Sequence, residues 1–147
     1  MLRSISTLTA IVLTGMGLTA AASAGSPGDM FWVRTTQKTP EQVVATIKTY
    51  TEANKWLYLA EFKIKGGQVT AVKICYPAIA ADIFAAGPHV AAMMPCGNIA
   101  VYVDQGRTTI SMLHPKFMSV LAPHERMDKA VREVTPLFEK MLDEVSN

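Results

Sequence analysis

The chain has 147 residues, of which 50% are hydrophobic and 18% are charged. This composition excludes an intrinsically disordered chain, and the length suits one domain. With 14 basic and 12 acidic residues, the net charge of +2 is too small to indicate a nucleic acid or an anionic membrane surface as a partner. Two cysteines are too few for a closed four-cysteine zinc site or a fold built on disulfides.

Residues 1–24 have the features of a cleavable signal peptide. An arginine stands near the start, residues 5–18 carry no charge, and small residues at Ala22 and Ala24 suit a signal peptidase. We therefore predict cleavage after Ala24, a periplasmic or secreted location, and a single mature domain of residues 25–147. The alternative is an uncleaved anchor, but the apolar run is short and no basic cluster follows it. We predict no membrane span after the signal is removed.

The mature chain opens with a weakly alternating segment over 30–35, which predicts a first strand. A helix start follows, because Thr39 can cap a helix, Pro40 suits its first position and Gln42 completes a capping box. The apolar spacing that comes next predicts a helix over about 40–54.

Two strands, 56–65 and 69–76, are predicted on either side of a hairpin turn at Gly66 and Gly67. Strict alternation along the first of them separates its side chains into two sets. One face is predicted to carry Trp56, Tyr58, Phe62 and Ile64, and the other Leu57, Leu59, Glu61 and Lys63.

A short alanine-rich helix over 78–86 precedes a second hairpin, which has strands over 96–103 and 108–113 and a four-residue turn over 104–107. The preferred register sets apolar residues opposite one another. It pairs Val103 with Thr108, Val101 with Ile110, and Ile99 with Met112.

A helical turn over 117–121 and a long helix from Pro123 end the chain, and Pro136 is predicted to kink that helix because it removes a backbone donor. The element order is strand, helix, two strands, a short helix, two strands and a helix. We predict an α+β fold, with an antiparallel sheet of about four to five strands and helices packed on one face.

Cys75 and Cys96 each stand at a strand end beside a proline, and the alternation sets both on the face away from the helices. Three interpretations remain open for these cysteines. They are a structural disulfide, two buried thiols packed as small hydrophobic groups, or a functional pair that exchanges thiols or binds a metal or a sulfur compound. No Cys-x-x-Cys is present, so a thioredoxin-type site is not supported.

A soft Cu(I) site is the metal hypothesis. Cys96, Met112 and His114, with Met93 or Met94, supply the ligand types that Cu(I) prefers. The preferred register opposes this site, because it directs Cys96 and His114 to opposite faces.

No catalytic constellation is found, so the chain is not predicted to be an enzyme. Cys96 with His114 as its base lacks a residue to orient the imidazole. No phosphate-binding glycine loop and no His-Glu-x-x-His occurs. His89 in a loop and His124 at a helix start are predicted to be solvated.

The sheet face away from the helices is the other candidate surface. It is predicted to present small or amphipathic side chains, namely Ala71, Lys73, Cys75, Ala100 and Tyr102. Such a face suits the sheet of a second copy or a shallow ligand site, and ordinary solvation is the alternative.

Several of these motifs together resemble the DUF302 domain over about residues 43–145. They are Ile74-Cys75-Tyr76-Pro77, the alanine-rich helix, Met94-Pro95-Cys96, the strand over 99–103, Gly106 and His114-Pro115. The resemblance implies a small α+β domain that often dimerises and has no assigned function. The sequence departs from the common pattern at Tyr76, where an asparagine is usual, and at Gly97, where many members have a basic residue.

The combined prediction is an exported, non-enzymatic module that binds a small unidentified ligand or a copy of itself. Its candidate site residues are Cys75, Cys96, Pro95, Tyr76 and His114. The alternative is a thiol-based redox or sulfur-handling protein, or a Cu(I) site of Cys96, His114, Met112 and Met94. No cofactor other than this copper is indicated.

Overall fold

A five-stranded antiparallel sheet forms the centre of the fold in the computed structural model, which describes residues 30–92 and 98–147. The strand order across the sheet is β1-β5-β4-β3-β2. The strands are β1 (Phe31–Thr36), β2 (Leu57–Ile64), β3 (Val69–Cys75), β4 (Asn98–Asp104) and β5 (Arg107–Leu113).

Within these described residues, four helices accompany the sheet: α1 (Pro40–Ala53), α2 (Ala80–Phe84), α3 (Lys116–Leu121) and α4 (Glu125–Ser146). Short 3-10 turns cover Lys65–Gly67, Pro77–Ile79 and Pro88–Ala92. The predicted helix over 78–86 is therefore shorter than expected, since a 3-10 turn replaces its beginning. The predicted α+β class and antiparallel sheet are confirmed.

The predicted capping box begins α1. The Thr39 hydroxyl accepts a hydrogen bond from the Gln42 backbone N–H at 3.3 Å, and the Gln42 side chain accepts one from the Thr39 N–H at 2.8 Å. Pro40 occupies the start of the helix, where no intrahelical donor is needed. These contacts fix where α1 begins, and caps of this kind contribute about 1 kcal/mol.

The β4–β5 hairpin has the predicted register, with Val103 opposite Thr108, Val101 opposite Ile110, and Ile99 opposite Met112. Gln105 and Gly106 form its two-residue connection, with φ angles of 48° and 77°. Two consecutive residues with positive φ match the twist of the flanking strands, which explains the tight turn.

A register shift between Tyr58 and Ala60 corrects the prediction for β2. One additional residue there reverses the alternation, as a β-bulge does. Beyond it Phe62 pairs with Ala71, on the opposite face from Tyr58, which pairs with buried Ile74. The prediction that Phe62 shares a face with Tyr58 was wrong.

The core lies between one face of the sheet and the long helices α1 and α4. Trp56 lies at its centre, with its ring centroid 5.3 Å from that of Phe138 and 5.4 Å from that of Tyr50. The buried stripe of α4 runs from Met127 to Val145. The helix continues through Pro136, which lies on its exposed side.

Over residues 30–92 and 98–147, no helix combines the length and the apolar character needed to cross a membrane. The predicted signal peptide of residues 1–24 lies outside the described residues.

Candidate binding face

The sheet face that points away from the helices, called here the open face, has small residues at its centre. Ala71 of β3 pairs with Ala100 of β4, which pairs with Ser111 of β5. Val33 and Phe62 end this row of paired residues on the two edge strands, because Val33 pairs with Ser111 and Phe62 with Ala71. Large side chains at the edges therefore flank a flat floor.

Exposed apolar side chains surround that floor. They are Phe31 and Val33 on β1, and Leu57, Phe62 and Ile64 on β2. Soluble monomers carry single exposed hydrophobic residues as a matter of course, whereas several on one face of a sheet indicate a binding or interaction surface.

A shallow depression of about 340 Å³ lies on the open face. Its lining is mostly apolar, with polar groups only at Asn98 and Ser111. The full lining is Phe31, Ala71, Asn98, Ile99, Ala100, Ser111 and Leu113. A concave apolar surface with few polar groups is typical of a site for a small molecule.

Cys75 ends β3 on the open face, opposite Leu57. Its side chain is 8% exposed, and it is not part of the buried cluster between sheet and helices. This agrees with the predicted face for Cys75. Cys96, Pro95, Met94 and Met93 lie outside the described residues, so the cysteine pair stays a prediction.

Tyr76 does not lie on the open face with Cys75. Its ring centroid is 5.5 Å from that of Trp56, and the tyrosine packs against the core cluster on the helix side. The structure therefore separates these adjacent candidate residues onto opposite sides of the sheet.

His114 also lies away from Cys75, at the end of β5. Its ring is 4.4 Å from that of Trp32, and its Nδ1 accepts a hydrogen bond from the Lys116 N–H at 3.0 Å. Burial lowers the pKa of His114, nearby Lys116 lowers it further, and Glu139 opposes both effects.

Met112, the methionine of the copper hypothesis, is 1% exposed and belongs to the core cluster. Across residues 30–92 and 98–147, no group of three or more His, Cys, Asp or Glu side chains could hold a metal ion. Because Cys96 and Met94 lie outside the described residues, the copper site stays a hypothesis.

The other two histidines have separate positions. His89 is exposed in the turn over Pro88–Ala92, as predicted. His124 is half-buried and caps α4, because its Nδ1 accepts a hydrogen bond from the Arg126 N–H at 3.1 Å. This cap gives His124 a structural role that was not predicted from the sequence.

Asp82 is a buried charged residue that the sequence analysis did not single out. It is 7% exposed, and its carboxylate accepts hydrogen bonds from Arg126 Nε at 2.7 Å and Lys129 Nζ at 2.9 Å. These two cations hold the pKa of Asp82 below its ordinary value, with the hydrogen bond from Lys129 contributing most. These three side chains therefore join α2 to α4.

Comparisons with known proteins agree on the fold and give no activity. The family model described as "Domain of unknown function DUF302" matches residues 32–145. A crystal structure of an uncharacterised conserved DUF302 protein from Bacillus stearothermophilus matches with a TM-score of 0.70 and 13% sequence identity. The match covers 80% of this chain and 98% of the other. No functionally curated protein matches the chain.

Proposed function

The chain belongs to the DUF302 family of domains of unknown function, and from that premise we propose that it is an exported binding module without catalytic activity. The ligand we propose is a small, mainly apolar molecule that carries one polar group. The depression on the open face is the observation that carries this proposal.

The shape and chemistry of the depression define the ligand class. The small side chains of Ala71 and Ala100 leave a flat floor, and Phe31 and Leu113 supply apolar contact area beside it. Its volume of about 340 Å³ lies at the lower end of the range for small-molecule sites. The Asn98 amide can both donate and accept hydrogen bonds, so it suits the one polar group of the ligand.

Binding of 8-anilinonaphthalene-1-sulfonate, an aromatic molecule with one charged group, tests this site. We expect one probe to bind per chain, with a fluorescence increase that saturates. Ala100→Leu fills the depression and should weaken binding about tenfold or more, which corresponds to about 1.4 kcal/mol. Ala45→Leu adds the same group at an exposed position of α1 and should leave binding unchanged. Equal binding by all three proteins would refute the proposed site.

Self-association through the open face is the second candidate function. The exposed edge residues Val33, Leu57 and Phe62 favour it, because they lie outside the depression and no small ligand would cover them. Light scattering coupled to size-exclusion chromatography measures the mass directly. A dimer that Phe62→Lys dissociates would support this candidate, and a monomer at every concentration would exclude it.

The proposal also includes the position of the two cysteines and the export of the protein. β3 and β4 are neighbours, with Lys73 opposite Asn98, and each cysteine stands two residues beyond this pair in the sequence. We propose that Cys75 and Cys96 lie together at this end of the open face. The alternative function, thiol redox chemistry or Cu(I) binding, uses the same cysteines.

Intact mass and thiol labelling on protein purified without reductant or chelator distinguish these possibilities. A mass lower by two hydrogen atoms without labelling would indicate a disulfide, and a start at Gly25 would support export. A persulfide or copper mass would favour the alternative function. If both thiols are labelled and the mass before labelling shows no additional group, the result would contradict both the Cys75–Cys96 disulfide and bound copper.

A further inference from the structure

A second concave site lies on the helix side of the sheet, separate from the open face. It is a cleft of about 290 Å³ between the first turn of α1 and the β2–β3 hairpin. Its lining is Pro40, Glu41, Lys63, Gly67, Gln68, Thr70, Val101 and Val103. No sequence motif indicated a binding role for these residues.

Thr70 is a buried hydroxyl group at the floor of this cleft. The side chain is 2% exposed and lies in register between Lys63 of β2 and Val101 of β4. Over residues 30–92 and 98–147 its hydroxyl makes no side-chain hydrogen bond, and no fully enclosed polar side-chain atom there lacks a partner. Thr70 is among the residues that line the cleft, and its hydroxyl can offer a donor and an acceptor to a ligand there.

Two opposite charges stand at the mouth of the cleft. The Lys63 ammonium lies 3.7 Å from the Glu41 carboxylate, and both side chains are largely exposed. A hydrogen bond with its own backbone N–H is the main cause that lowers the pKa of Glu41, with Lys63 also contributing, so this carboxylate is charged at neutral pH. An exposed pair at this distance contributes little to stability, so each partner is available to a ligand of opposite charge.

The start of α1 does not itself bind an anion here. Two backbone N–H groups of its first turn already have partners. The Gln42 N–H donates to the Thr39 hydroxyl, and the Val43 N–H donates to the Thr39 carbonyl. The Glu41 carboxylate repels an anion, and the Lys63 ammonium repels a cation. A ligand that carries both charges satisfies both groups.

We propose that this cleft binds a small zwitterion of the amino-acid type. Its carboxylate would pair with Lys63 and accept a hydrogen bond from the Thr70 hydroxyl, and its ammonium would pair with Glu41. A short apolar side chain would contact Val101 and Val103. The cleft shares no lining residue with the depression on the open face, so the test of this proposal is independent of the proposed function.

Titration of the 15N-labelled mature domain with L-valine tests the proposal. We expect saturable shifts at the backbone amides of Gly67, Gln68 and Thr70 at millimolar valine. Two comparison compounds each lack one charge: 3-methylbutanoate lacks the ammonium and 2-methylpropylamine lacks the carboxylate. Each should bind about tenfold more weakly or worse, because one charge-assisted contact is lost.

Substitutions then separate a built site from incidental binding. Thr70→Val keeps the shape and removes the hydroxyl, and it should weaken valine binding about tenfold. Thr109→Val makes the same change at a buried threonine of the open face and should leave binding unchanged. If Thr70→Val does not fold, Lys63→Met replaces it in the experiment, because Lys63 is exposed. We expect the same weakening of valine binding. No saturable shift with valine, or full binding by Lys63→Met, would overturn the proposal.

Discussion

Two cationic side chains of α4 converge on the carboxylate of Asp82, which lies almost without solvent contact on the short helix α2. Arg126 and Lys129 are 44 and 47 residues away in sequence, so no local pattern shows this arrangement. A buried carboxylate that keeps its charge needs such partners. Asp82 therefore fixes the position of α2 on α4.

Asp82→Asn should lower the free energy of unfolding at neutral pH, since it leaves two cations without their partner. The folded-state pKa of Asp82 is lower than its value of 3.8 in the unfolded chain. Its contribution is therefore complete above pH 3.8 and is lost as the pH falls through the lower folded value. Urea denaturation at neutral and acid pH measures this.

Asp143→Asn is the control, because it removes an exposed pair with Arg34. Such a pair contributes about 1 kcal/mol or less. An equal loss in both variants would contradict the role given to Asp82.

His114 should make the free energy of unfolding depend on pH in a higher pH range than Asp82 does. Burial places its folded pKa below the ordinary value of 6.5, so its contribution to stability is complete above pH 6.5 and is lost as the pH falls through the folded value. A proton on Nδ1 also removes the acceptor that Lys116 N–H uses. Two-dimensional NMR titration of the histidine rings should give a pKa below 6.5 for His114, and a value above 6.5 would contradict this assignment.

At the scale of elements, the parts that the sequence predicted correctly depend on neighbouring residues. Thr39 and Gln42 are three residues apart, and the β4–β5 register follows from one short turn. The bulge at β2 was not predictable, because an additional residue leaves the hydrophobic pattern plausible in either alignment. The sequence predicted a shallow site on the open face but not its full lining, and it did not predict the cleft, because both require side chains from separate strands.

Pro136 lies inside α4 and leaves the helix without one internal hydrogen-bond donor. Pro136→Ala should restore that bond and raise the free energy of unfolding by about 1–3 kcal/mol. Thermal and urea denaturation measure the change. Glu133→Ala, at an exposed position nearly one turn earlier, is the control and should have an effect within about 0.5 kcal/mol. A destabilised Pro136→Ala would show that the helix needs the proline.

At the scale of the molecule, the sheet has one covered side and one uncovered side. α1 and α4 cover the core face, and in the described part of the chain no helix lies over the small residues of the open face. The sequence predicted this division and the small residues Ala71 and Ala100 at its centre. It did not predict that the bulge turns Phe62 and Ile64 toward the same side, which enlarges the apolar area.

Phe62→Lys tests the open face as an association surface. A charge at this edge should increase solubility and shift any self-association to higher protein concentration. Val120→Lys makes a comparable change at an exposed apolar position on α3 and is the control. Sedimentation velocity over a concentration series measures both proteins. An equal shift in both variants would show a general effect of charge and contradict the assignment to this face.

The pairing of β1 with β5 also determines how the chain reaches its native state. Phe31 meets Leu113 across the sheet, although more than half of the chain separates them. Within residues 30–92 and 98–147, β1 has no other neighbouring strand, so its backbone groups pair with a strand only after the β4–β5 hairpin is available. Closing so long a loop is entropically costly, and non-local pairing of this kind slows folding. During synthesis β1 therefore emerges before the strand with which it pairs, and chaperones would encounter it while its backbone is still unpaired.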